Sequence, residues 1–145
     1  MQTDMNVQPD RSASAYAKEQ IYIAAPAEKI FRIIHDIADW PRWQKDVKKA
    51  SVDGVPEEGT SFEWTAGGLR IRSKIHTLRP YNAIGWTGKI WWITAVHNWR
   101  LDEQGSGTLV TVEESLEGLG SSLFGRSLAS GMKKNLLELK EEAER

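Results

Sequence analysis

The chain has 145 residues, 40% hydrophobic and 27% charged, enough for one domain that buries about two-thirds of its unfolded surface. Nineteen basic against twenty acidic side chains leave a net charge of −1, so no bulk field draws it to nucleic acid or anionic lipid. Cysteine is absent, which excludes disulfides, thiolate metal sites and Cys nucleophiles and suits a reducing compartment.

Residues 1–12 are polar and carry no apolar stretch of the kind a secretory signal needs. They read as a flexible lead-in to a single domain over 13–145. No apolar run approaches the ~20 residues that span a bilayer, so the expectation is a cytoplasmic chain without integral membrane association.

Ala15 to Ile23 alternates as a first strand, with Ile21 and Ile23 on one face and Tyr16, Lys18, Gln20 and Tyr22 on the other. Pro26 suits the first turn of a helix, and Ile30, Phe31, Ile34 and Ile37 then form a helical stripe. Asp39 is placed to cap a second short helix with Pro41 just inside it.

From Val47 to Leu116 the chain reads as successive strands. Gly67-Gly68 supplies a tight hairpin turn. After it Leu69, Ile71, Ser73, Ile75 and Thr77 share one face, with Arg70, Arg72, Lys74 and His76 opposite, where His76 should be solvated. A turn at Pro80-Tyr81-Asn82 leads to Ile84 and Trp86 on a common face. A strand over roughly 90–101 puts Ile93, Ala95, His97, Trp99 and Leu101 together, and residues 103–107 read as a loop. Val110, Val112, Glu114 and Leu116 line one face of the last strand. Gly118 and Gly120 break it, and residues 121–144 form one helix with a stripe of Phe124, Leu128, Met132, Leu136, Leu139 and Ala143. This order argues an α+β fold in which an antiparallel sheet holds one long C-terminal helix.

Seven tryptophans stand against three phenylalanines and three tyrosines. A core is more simply filled with Leu, Ile and Val, whereas Trp suits a wall around a hydrophobic guest. Phe62, Trp64, Ile71, Ser73, Ile75, Trp86, Ile93 and Trp99 are the inward candidates for a pocket, joined by Phe124 and Leu128 from the last helix. Trp91 and Trp92, adjacent on a strand, should face opposite ways and put one ring at the pocket mouth.

His97 and Glu114 are the candidate chemical pair. If the hairpin pairs Leu101 with Val110, His97 lies opposite Glu114, with Cβ atoms about 5 Å apart. Such a pair can satisfy itself, orient a ligand's polar group, or act as an acid or base. No catalytic motif accompanies it. The three His lack metal-ligand spacing, and no phosphate loop or nucleophile elbow occurs, so neither metal nor cofactor is expected.

The segments IYIAAPAEKIFRIIHDIADWPRW, FEWTAGGLRIRSKI, IGWTGK, AVHNWRL and GTLVTVEESLEG, followed by a helix ending LLELKEEAE, resemble the START/Bet v 1-like (SRPBCC) superfamily of polyketide cyclase/dehydrase and lipid transport type. The resemblance covers the chain from Ala15. It implies a helix-grip fold: a seven-stranded curved antiparallel sheet around the C-terminal helix, two short helices after the first strand, and an apolar internal pocket. The implied opening is ringed by Gly67-Gly68, Lys89 to Trp92, and Gly118 to Ser122. The expected function is binding of a hydrophobic or aromatic small molecule or lipid, by a monomer or homodimer. A cyclase- or dehydratase-like enzyme, and a protein-interaction module using the Trp91-Trp92 edge, are the alternatives.

Overall fold

A computed structural model describes residues 5–145. Its elements are β1 (Ala15–Ile23), α1 (Ala27–His35), a single 3-10 turn (Ile37–Asp39), α2 (Trp40–Trp43), β2 (Val47–Val52), β3 (Ser61–Ala66), β4 (Leu69–Arg79), β5 (Ala83–Ile90), β6 (Ile93–Gln104), β7 (Gly107–Glu117), a second 3-10 turn (Ser121–Phe124) and α3 (Gly125–Ala143). The seven strands form one antiparallel sheet in the order β1-β7-β6-β5-β4-β3-β2. The long helix packs on its concave face, as the α+β helix-grip reading requires.

The core explains why the short helices close one end. Ile30, Phe31, Ile34 and Ile37 are all buried and meet Ile75, Ile84, Val110 and Leu139 in one cluster. Each such side chain contributes about 1.5–3 kcal/mol relative to remaining exposed. Trp40 is buried among them, and its Nε1–H donates to the Ile34 carbonyl at 2.9 Å. Asp39 precedes α2 without capping it; its carboxylate instead receives Arg42 Nε at 3.0 Å.

Turn chemistry accounts for two hairpins. Gly67 and Gly68 sit at φ 57° and 80°, the pair of positive angles that a two-residue β turn demands. The 103–107 loop is shorter than expected, because β6 runs to Gln104 and β7 starts at Gly107, with Gly105 at φ 64° in the turn.

Three local expectations are corrected. The strand expected over roughly 90–101 begins later: β5 ends at Ile90, β6 begins at Ile93, and Trp91 and Trp92 are the turn between them. Trp91 takes φ 54°, both rings are exposed, and they stack at 5.9 Å, so strand alternation does not apply to them. Second, β4 is bulged. Ile75 pairs with Trp86 but Thr77 pairs with Gly85, so the extra residue at His76 turns Thr77 to the outer face and returns Leu78 to the core side. Third, His76 is not solvated. It is half-buried, with Nδ1 2.7 Å from Thr77 Oγ1 and Nε2 2.9 Å from Asn98 Oδ1.

The N-terminal segment supplies the reason. Met5 is buried, Asn6 N–H donates to Thr77 Oγ1 at 2.8 Å, and Asn98 Nδ2 donates to the Val7 carbonyl at 2.8 Å. Asp10 N–H reaches Ser115 Oγ at 3.0 Å, and Arg11 pairs with buried Glu113 at 3.0 Å. Residues 5–11 of the expected lead-in therefore cross the outer face of the sheet. Gly85 makes room: a Cβ there would stand 2.5 Å from Asn98 Oδ1 and 2.8 Å from Met5 Cε. Burial raises the Glu113 carboxyl, but hydrogen bonds from Tyr16 and Arg11 outweigh it and hold the group below its ordinary value. Residues 1–4 of the lead-in lie outside the described residues.

Candidate functional site

The β6–β7 hairpin pairs Leu101 with Val110 and therefore His97 with Glu114. His97 Nδ1 is 2.5 Å from Glu114 Oε1, and both side chains are largely buried. A carboxylate only accepts, so Nδ1 carries the proton and Nε2 keeps its lone pair while the ring is neutral.

Aromatic rings hold the imidazole in place. His97 stacks on Trp86 with centroids 4.9 Å apart and planes 11° from parallel, and tilts against Trp99 at 5.5 Å. Trp86 in turn meets Trp40 at 5.2 Å and Phe62 at 5.6 Å, while Trp40 meets Trp64 edge-on at 5.3 Å. Register makes this wall: Trp86 on β5 pairs with His97 on β6, and Trp64, two strands further out on β3, pairs with Ile71. Each aromatic pair adds about 0.5–1.5 kcal/mol beyond area burial and limits ring motion.

Two adjoining spaces lie between this wall and α3. The outer cavity, about 210 Å³, is bordered by Val47, Trp64, Ala66, His97 and Glu114 on the sheet side and by Leu128, Gly131 and Met132 from α3. The inner one, about 30 Å³, is bordered by Ile34, Trp40, Trp43, Trp64, Trp86, His97 and Trp99. Gln44, Trp64, His97 and Asn135 border both. Gly131 matters because a Cβ there would meet nothing within 4 Å, so the helix leaves open space at that turn. Across the rim, Asn135 Nδ2 donates to Gln44 Oε1 at 2.8 Å, Lys45 N–H to Glu138 Oε2 at 2.9 Å, and Lys134 Nζ to Asp46 at 3.1 Å. These ties fasten α3 to the α2–β2 connection.

The pocket residues expected from the sequence divide. Trp64, Trp86, His97, Trp99, Glu114 and Leu128 border one or both spaces. Phe62 and Ile75 pack in the main core behind the wall. Ser73 holds the wall, accepting Trp64 Nε1–H at 3.1 Å. Ile71 and Ser73 flank Gly88, each with an atom 3.4 Å from where its Cβ would stand. Ile93 and Phe124 belong to a second cluster with Ala15, Ala95 and Leu116. Trp91 and Trp92, expected at the mouth, border neither space; the polar residues bordering the outer cavity include Gln44, Asp46, Asn135 and Glu138. Trp92 Nε1–H bonds the Leu119 carbonyl at 2.7 Å instead.

Sequence reasoning missed Trp43, Gln44 and Asn135 as cavity residues. Their helical segments read as a cap and as a wet helix face, and only packing brings them together. Asn135 follows Met132 by three residues on the stripe's edge, which is the one signal available.

Among the described residues no helix is long and apolar enough to cross a membrane. The family profile described as polyketide cyclase / dehydrase and lipid transport matches residues 15–144. No curated protein matches significantly. Similar solved structures include the hypothetical protein jhp0584 from Helicobacter pylori, at 13% identity and TM-score 0.83 over 99% of each chain. A START superfamily protein from Mycobacterium smegmatis aligns at 17% identity and TM-score 0.72, over 89% of this chain and 97% of that one. The di-domain ARO/CYC BexL from the BE-7585A biosynthetic pathway aligns at 17% identity and TM-score 0.73, over 90% of this chain and 50% of that one. At these identities the likeness is one of fold, and fold and family together are consistent with hydrophobic-ligand binding or a cyclase-like role. With its helix-grip architecture and a profile match that runs from β1 through α3, the chain belongs to the polyketide cyclase/dehydrase and lipid transport family.

Proposed function

We propose that the protein binds a small, largely apolar molecule, aromatic or lipid-like, between the sheet and α3, with His97 and Glu114 orienting its polar group. The observation that carries this reading is a buried His–carboxylate pair set in an aromatic wall beside open space. Affinity comes from apolar burial at about 25 cal/mol per Å², less the cost of association. At about 210 Å³ the outer cavity is smaller than the roughly 300–1,000 Å³ of drug-sized sites, which favours a one- or two-ring guest. A cytoplasmic location fits a soluble carrier of this kind.

The second reading is a cyclase- or dehydratase-like enzyme in the same pocket. It is favoured by the imidazole's place at the border of both spaces and by the fold shared with the ARO/CYC protein BexL. There His97 would hold or move a proton at Nε2 while the aromatic wall shapes the chain.

Native mass spectrometry of protein purified from its own cells tests the first reading, with a co-purifying apolar ligand as the expected result. An apo mass, together with no response to small aromatics in calorimetry, would sink it. Turnover abolished by His97→Ala with binding retained would favour the enzyme.

A further inference from the structure

Three buried ring nitrogens have no hydrogen-bond partner among the described residues: Trp43 Nε1, Trp99 Nε1 and His97 Nε2. All three residues border the inner cavity. Two other indoles of the same wall are satisfied, Trp40 by the Ile34 carbonyl and Trp64 by Ser73 Oγ. Buried polar atoms are paired as a rule, so three orphans at one small space point to a guest atom there. At about 30 Å³ the space takes only a small polar group.

The donor and acceptor count identifies that group. An indole N–H only donates. His97 Nδ1 is bound to the Glu114 carboxylate, so the neutral ring offers Nε2 as an acceptor. The complement is a group with one donor and two acceptor sites, which is a hydroxyl. A carbonyl or ether oxygen would accept from both indoles but set lone pair against lone pair at Nε2. A carboxylate would add a second negative charge beside Glu114, and an ammonium would leave both indoles unmatched.

Resting on the binding reading above, we propose that the inner cavity is a hydroxyl receptor and that the ligand is a small hydroxylated aromatic. Its hydroxyl donates to His97 Nε2 and accepts from Trp43 and Trp99, while its ring lies against Trp64 in the outer cavity. An apolar ligand end would leave three groups unpaired, whereas a hydroxyl reproduces the bonds of any water it displaces.

Calorimetric titration with 2-naphthol, naphthalene and 2-methoxynaphthalene tests this. The expected result is 2-naphthol bound at least tenfold more tightly than either, although naphthalene is the more hydrophobic. Trp43→Phe and, separately, Trp99→Phe should each reduce the ratio of 2-naphthol to naphthalene affinity severalfold. Because the ligand series on the unaltered protein is decisive alone, a variant that fails to fold does not rescue the idea. Equal affinity for the three probes overturns the receptor and leaves the apolar pocket standing. No binding of any probe overturns the pocket reading as well.

Discussion

At the residue scale, a histidine's neighbours outweigh its place in a pattern. His76 sits among cationic residues in sequence, yet the bulge and the N-terminal segment enclose it. Burial holds its imidazole below the ordinary value of 6.5, offset in part by the Asn98 bond and the Glu58 charge. The folded protein therefore binds this proton less readily than the unfolded chain, and stability rises with pH through that range. The contribution is complete above about 6.5 and declines as pH falls from there to the folded-state value. Thermal melts at pH 7.5 and 5.5 should show a smaller acid loss in His76→Gln than in the unaltered protein. Equal losses would mean that His76 does not titrate in this window. His97, by contrast, was legible: strand alternation and one hairpin register were enough to set it opposite Glu114, because antiparallel pairing has no freedom once a register is given.

At the element scale, α3 shows how packing and cavity share one helix. Met132, Leu136, Leu139 and Ala143 fill the core, while Gly131 faces open space at the cavity. Gly131→Ala should stabilise the fold by about 0.5–1 kcal/mol, since it removes the helix cost of glycine without a clash. Gly131→Phe should occupy the outer cavity and abolish binding of small aromatics with the denaturation midpoint unchanged or raised. Retained affinity in that variant would place the binding space elsewhere. The apolar stripe was readable from the 3.6-residue period, but the bulge in β4 was not. A bulge is one unpaired residue in a ladder, and Ser73-Lys74-Ile75-His76-Thr77 alternates as cleanly as an unbulged strand.

At the scale of the whole molecule, the exposed Trp91–Trp92 stack and the cavity are separate features. The pair sits at the β5–β6 turn with Leu119 bonded to Trp92, whereas the cavity is bordered by the α2–β2 connection and α3. The double variant Trp91→Ser, Trp92→Ser should leave small-aromatic affinity within about twofold in calorimetry. A tenfold loss would return the mouth to the β5–β6 turn. From the sequence alone come the α+β fold class, the order of its elements, most of the inward faces and the His97–Glu114 register. These follow from period, turn residues and pairing, which are local rules. The tertiary structure decided which inward residues border space and which merely pack. It also decided that residues 5–11 cover the sheet's outer face, and that Trp43 and Asn135 meet His97 across the cavity. Those outcomes depend on how curved layers close over one another, and no short window of sequence carries the shape of the gap that closure leaves.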